Sequence, residues 1–170
     1  MAETPKTIVV YYSRTGNSRV LAEAIAGALD GPLHELTVNA YQTPVLWYYF
    51  AGRDALRGRS PKLTSDPVSL SDIRTLVLIG PVWAGNPAPP LISFLSQQME
   101  LPQKVGLFLT SGDRRLLSAP INKFRYHLGR DRDAAMTIGS RDLNTLTMQT
   151  KIAEFVDALA EGTAEGVATA

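Results

Sequence analysis

Six consecutive residues, Ser13-Arg14-Thr15-Gly16-Asn17-Ser18, concentrate three hydroxyls, a guanidinium, an amide and one glycine. They lie between an apolar run and a helical pattern, which puts them at a helix N-terminus, where open N–H groups and a partial positive charge favour an anion. The hydroxyls add short donors, and Gly16 lets the backbone approach a ligand closely. The chemistry that suits this set is phosphate binding. The stretch lacks the glycine–lysine pair of a Walker loop and is not G-x-G-x-x-G. It also suits a plain strand–helix turn with Asn17 or Ser18 as N-cap.

Two further stretches have chemical content. In Pro81-Val82-Trp83-Ala84-Gly85-Asn86-Pro87-Ala88-Pro89-Pro90, a tryptophan sits between a strand's carboxyl end and a proline-stiffened turn. There it can stack on a flat ring, or serve as a core or partner-contact residue. Thr110-Ser111-Gly112-Asp113 can offer backbone N–H groups to a ligand, or form a generic Ser-Gly-Asp turn. His34 and His127 have no Cys, His or carboxylate partner at ligand spacing, so no metal site is expected. No side chain is nominated as a catalytic acid, base or nucleophile.

The elements that must position these loops follow from periodicity. Thr7 to Tyr12 is a continuous β-branched and aromatic run, expected of a strand buried on both faces. Val20, Leu21, Ala24, Ile25, Ala28 and Leu29 recur at helical spacing, and Gly31-Pro32 stops that helix. Leu33 to Val38 alternates as an edge strand, and Leu76 to Ile79 is an apolar strand ended by Gly80-Pro81. Pro89 and Pro90 suit a helix's first turn, with Leu91, Phe94, Leu95 and Met99 as its stripe. Val105 to Leu109 is a fourth strand, followed by a helix carrying Leu117, Ile121, Phe124 and Leu128. Ala134 to Ile138 is a fifth strand, and Ile152, Phe155, Val156 and Leu159 mark the last helix. Strands alternating with helices imply a parallel sheet covered on both faces, for which the order 2-1-3-4-5 is one common arrangement. The stretch Asn39 to Asp72 is too long for a simple loop, and a helix with Trp47, Tyr48, Tyr49 and Phe50 is expected within Val45 to Arg59.

Composition bounds the function. The chain has 170 residues, 45% of them apolar, and is expected to form one domain over 1–160 with a frayed tail over 161–170. Its 17 basic and 16 acidic residues give no electrostatic reason to bind nucleic acid or an anionic membrane. No window holds the roughly 20 apolar residues of a membrane span, and the first residues do not read as a signal peptide. With no cysteine there is neither disulfide nor thiolate chemistry, in keeping with a cytoplasmic location.

The pattern Val9, Val10, Tyr11, Tyr12, Ser13, Arg14-Thr15, Gly16, Asn17, Ser18 and Ala22 resembles the amino-terminal signature of the flavodoxin family. That signature has an apolar pair, an aromatic, a free position, a hydroxyl, two free positions, a small residue, one free position, then Thr, with Ala four later. The one departure is Ser18 in place of Thr, which keeps the hydroxyl and loses the β-branched stiffness. The Trp83 stretch resembles the family's tryptophan loop, and Thr110 to Asp113 resembles its third flavin loop. The resemblance covers about Thr7 to Leu159 and implies a flavodoxin-like, doubly wound, five-stranded parallel sheet in three layers, of order 2-1-3-4-5.

The resemblance also implies FMN as cofactor. The phosphate would lie at Ser13, Arg14, Thr15, Gly16, Asn17 and Ser18, and the ring at Pro81, Val82, Trp83, Ala84, Gly85, Asn86, Thr110, Ser111, Gly112 and Asp113. Gly85 gives its loop freedom to turn a peptide toward the flavin. Trp47 or Tyr48 is a candidate cover for the second flavin face, or a core residue. Arg14, Arg114 and Arg115 are candidate guides for anions or solvated side chains. Three functions remain in view: a carrier between a flavodoxin reductase and an acceptor enzyme, an FMN-dependent oxidoreductase on small acceptors such as quinones with NAD(P)H as donor, and a cofactor-poor regulatory domain. Carrier flavodoxins are typically acidic, and this chain is not, which weighs toward the oxidoreductase.

Overall fold

The computed structural model describes residues 7–41, 47–112, 118–129 and 131–162. The elements run β1 (Thr7–Tyr11), α1 (Asn17–Leu29), β2 (Leu33–Glu35), α2 (Trp47–Arg57), β3 (Thr75–Trp83), β4 (Asn86–Pro87) and α3 (Pro89–Ser96). There follow β5 (Lys104–Ser111), α4 (Ser118–Leu128), β6 (Ala134–Gly139), a 3₁₀ turn (Ser140–Asp142) and α5 (Leu146–Glu161). Five strands lie parallel in the order β2-β1-β3-β5-β6, and the two-residue β4 pairs antiparallel to the end of β3. Counting the long strands alone, this is the expected 2-1-3-4-5 order.

The pleat sends alternate strand residues to opposite faces, and each face has its own core. Val9, Val77, Ile79 and Phe108 pack against Leu21 and Ile25 of α1 and Ile152 and Phe155 of α5. Val10, Leu78, Leu107 and Leu109 pack against Leu91 and Phe94 of α3 and Ile121 and Phe124 of α4. A strand buried on both sides must be apolar throughout, which is why Ile8–Tyr11 and Leu76–Ile79 show no polar alternation. Each such side chain gains roughly 1.5–3 kcal/mol from burial. The sheet's rigidity then fixes where its carboxyl ends, and the loops that leave them, stand.

Several boundaries differ from the sequence reading, among them the end of α3 at Ser96, which leaves Met99, expected on that helix's stripe, beyond it and fully exposed. The edge strand β2 stops at Glu35, because Val38 leaves the sheet to bridge Leu63 and the Thr37 carbonyl accepts from the Thr64 N–H at 2.7 Å. Gly80-Pro81 does not end β3, which continues to Trp83 and folds back on β4. Gly80 is there for close packing: a Cβ at this position would lie 2.7 Å from Leu91 Cδ1. Pro81 has no N–H to give, yet its carbonyl accepts from the Ala88 N–H at 3.0 Å, tying β3 to the start of α3. Helix α1 begins at Asn17, three residues before its apolar stripe. Leu117, Arg114, Arg115 and the tail beyond 162 lie outside the described residues, as do the side chains of Trp47 and Tyr48.

Candidate functional site

The loop after β1 is shaped by one glycine. Gly16 takes the N-cap position of α1 at φ 93°, a left-handed conformation that an L side chain rarely adopts. Neither Asn17 nor Ser18 caps the helix; no side chain does. The Ser13 hydroxyl instead accepts from the Gly16 N–H at 3.1 Å, which leaves the Ser13 proton free to donate. The first helical N–H groups therefore face the loop without a capping oxygen. That is the condition for an anion to take the cap's place.

The loops after β1, β3 and β5 converge on one cleft of about 190 Å³. Ser13, Arg14, Thr15, Asn17 and Ser18 line it from the first loop, and Pro81, Val82 and Trp83 from the end of β3. Thr110, Ser111 and Gly112 line it from the end of β5. Ser140, from the turn after β6, lines it too and was missed in the sequence, where the only sign was its place after the last strand. Gly16, Ala84, Gly85 and Asn86 stand outside this lining: Gly16 as the cap, Ala84-Gly85 as the hairpin tip and Asn86 on the far side of the hairpin. Asp113 lies outside the described residues.

The cleft's donor set fits a phosphate. Its described lining carries one cation, Arg14, six hydroxyls and no carboxylate. Ser18 and Thr110 place their hydroxyl oxygens 2.8 Å apart in a buried contact. One proton serves that bond, and the other remains to donate. Burial pushes the Tyr12 phenol up to about 12, against the pull of the Arg14 guanidinium, so Tyr12 is neutral at ordinary pH.

Trp83 forms the opposite wall and is held from behind. Its ring meets Tyr12 edge-on at 5.5 Å and Tyr41 edge-on at 5.4 Å, both with rings perpendicular within 2°. Tyr41 is itself fixed: its phenol donates to Asp54 Oδ2 at 3.3 Å, while Arg53 donates to Asp54 Oδ1 through Nε and Nη2 at 3.1 and 3.0 Å. Burial first, and then the Asp54 charge, push the Tyr41 phenol far above its ordinary value. The sequence left Trp83 as either a stacking or a core residue. The structure makes it half-buried, packed on two tyrosines and exposed to the cleft.

Beyond Trp83 the hairpin turns in two residues, Ala84 at φ 48° and Gly85 at φ 71°. Two positive φ values are the mark of the tight hairpin turn that matches strand twist. The Asn86 amide donates to the Ala84 carbonyl at 2.8 Å, and Lys123 of α4 reaches the Gly85 carbonyl at 3.4 Å.

A five-stranded parallel sheet in this order, with its cleft at the carboxyl ends beside the central strand, defines a flavodoxin-like α/β protein. Solved structures agree. A flavoprotein from Lactobacillus acidophilus NCFM, crystallised in complex with FMN, is 22% identical, covers 90% of this chain and 99% of its own, and superposes with a TM-score of 0.71. Oxidised flavodoxin 2 from Bacillus cereus is 18% identical, over 92% of this chain and 98% of its own, with a TM-score of 0.58. Rubredoxin oxygen:oxidoreductase from Desulfovibrio gigas is 12% identical; it covers 98% of this chain but only 38% of its own, with a TM-score of 0.59. No protein-family model matches the sequence, and no curated protein does. No described helix is long and apolar enough to cross a membrane.

Proposed function

We propose that this chain is an FMN-binding redox protein that passes electrons to small acceptors such as quinones, drawing on NAD(P)H. The observation that carries this reading is the pairing, across one cleft whose described lining holds no acid, of an uncapped helix N-terminus with a clamped tryptophan. One wall offers what a phosphate monoester needs and the other what a flat ring needs. The L. acidophilus neighbour, crystallised with FMN, supports the assignment of the ligand.

Bound FMN supplies one- and two-electron transfer through its ring system. The chain's own residues do the rest. Ser13, Thr15 and the first N–H groups of α1 hold the phosphate, with Arg14 adding a positive charge. Trp83 orients and covers the ring. Ser18 and Thr110 lock the first and third loops together. No side chain is required as an acid or base.

The test is one absorbance and fluorescence titration of the purified chain with FMN and with riboflavin. Saturable FMN binding, with riboflavin at least about tenfold weaker from the lost charged contacts, supports the reading. Equal affinity for the two moves the phosphate out of this cleft. NAD(P)H oxidation that depends on an added quinone supports the oxidoreductase. Rapid exchange with a flavodoxin reductase, without such turnover, assigns the chain as a carrier.

A further inference from the structure

A second cleft, of about 220 Å³, opens on the other side of the β3–β4 hairpin, between α2, α3 and α4. Its walls include Pro87 and Ile92, and Tyr126, a residue 86% exposed, stands at its rim. Arg59, just past α2, and Lys123, on α4, line the same cleft. Among the described residues neither meets a carboxylate within ion-pair distance. One carboxylate does line the cleft, that of Asp54. Both its oxygens are already engaged, Oδ1 by Arg53 and Oδ2 by the Tyr41 phenol. The charge left to a ligand is therefore positive, against an apolar wall.

We propose that this second cleft binds a small aromatic carboxylate, its acid group at Arg59 and Lys123 and its ring on Pro87 and Ile92. Few polar groups set on an apolar wall are the usual make-up of a small-molecule site. The size agrees, since a cavity of about 150 Å³ accepts benzene and the remaining room suits a carboxylate. His127 also lines the cleft; burial lowers its pKa and favours the neutral imidazole, which can donate one N–H. The site stands on residues that take no part in the first cleft, so it does not depend on the flavin reading. It is not isolated from that cleft, because Lys123 also reaches the Gly85 carbonyl at the hairpin tip.

The experiment uses the 170-residue chain without FMN, with benzoate as probe and benzyl alcohol as its neutral counterpart. Binding is followed by NMR shifts of backbone amides. Benzoate is expected to saturate with the largest shifts at Arg59, Asn86, Lys123 and Tyr126, and to bind at least about fivefold tighter than benzyl alcohol. The pair Arg59→Gln and Lys123→Gln together should remove that advantage while leaving benzyl alcohol unchanged. Lys123→Arg should keep it. Equal affinities for the two probes, shifts confined to the loop at Ser13–Ser18, or an unchanged benzoate affinity in the double variant would each overturn the proposal.

Discussion

The hydroxyls of Ser18 and Thr110, 92 positions apart in sequence, meet at 2.8 Å inside the protein. Ser18 is in the first turn of α1 and Thr110 near the end of β5, so this bond joins the first and third loops across β3. Both residues are buried, and neither hydroxyl has bulk water to fall back on. Ser18→Ala should therefore cost about 1–3 kcal/mol, the penalty of a stranded buried hydroxyl. Thr110→Val in the Ser18→Ala background should cost less than the sum of the two single changes, because the stranded group is gone. Urea unfolding of the three variants measures this. Additive losses would mean the contact has no energetic weight.

In the proposed reading Ser13 and Thr15 donate to the phosphate, while Ser13 also accepts from the Gly16 N–H. Replacing both with alanine removes two hydroxyl donors toward a charged acceptor, a loss of about 1–3 kcal/mol for each. FMN affinity should fall at least about tenfold, and riboflavin affinity should stay level. Isothermal titration with the two ligands reads the difference. A parallel loss for riboflavin would mean that the changes disturb the ring's wall.

The tyrosine clamp predicts an alkaline limit to stability. Tyr12 is raised to about 12, chiefly by burial, and Tyr41 higher still, by burial and then by Asp54. A phenol whose folded pKa exceeds its unfolded value near 10 is held protonated by the fold. Its stabilisation is complete below pH 10 and is lost as pH climbs from there through the folded pKa. The slope is at most about 1.4 kcal/mol per pH unit for each phenol. The Tyr12→Phe, Tyr41→Phe double variant should flatten urea-unfolding midpoints measured from pH 9 to pH 12. An equally steep fall would place the titrating groups elsewhere.

Gly80 tests how the sequence was read. Gly-Pro ordinarily ends a strand, yet β3 runs through Gly80-Pro81, and the contact that selects this glycine is Leu91 on α3. Gly80→Ala should overpack that contact and cost about 1–3 kcal/mol. Pairing it with Leu91→Ala should recover part of the loss, which unfolding midpoints will show. No recovery would mean that the Leu91 contact does not set the cost.

What was legible in the sequence was whatever short-range pattern decides. The β-branched runs, the helical stripes and the hydroxyl-rich loop announce themselves within a dozen residues, and right-handed crossovers then leave few sheet orders. What stayed hidden depends on distant pairs. Tyr41 belongs to the stretch Asn39 to Asp72, too long for a simple loop, and its packing on Trp83 spans 42 positions that no periodicity connects. The uncapped start of α1 was hidden for a related reason. Asn17 and Ser18 have good capping side chains, but Ser18 turns toward Thr110 on β5. Ser140 reaches the cleft only because β6 lies beside β5.

The cleft's charge predicts how a bound flavin responds to reduction. Adding an electron to the ring adds negative charge, which carboxylates oppose and cations assist. Among its described lining residues the cleft has Arg14 and no acid. A unit charge at about 10 Å is worth roughly 1–2 kcal/mol at an effective dielectric near 20, and solvent and salt reduce it. With about 59 mV for each tenfold change in a one-electron equilibrium, Arg14→Glu should make the second reduction potential more negative by about 50–100 mV. Arg14→Gln should move it about half as far. The wild-type second potential should be clearly less negative than that of an acidic carrier flavodoxin and less sensitive to salt. A dithionite titration with redox dyes at low and high salt measures all three proteins. Identical potentials across the series would remove Arg14 from the flavin's electrostatics. A very negative wild-type value would favour the carrier over the oxidoreductase.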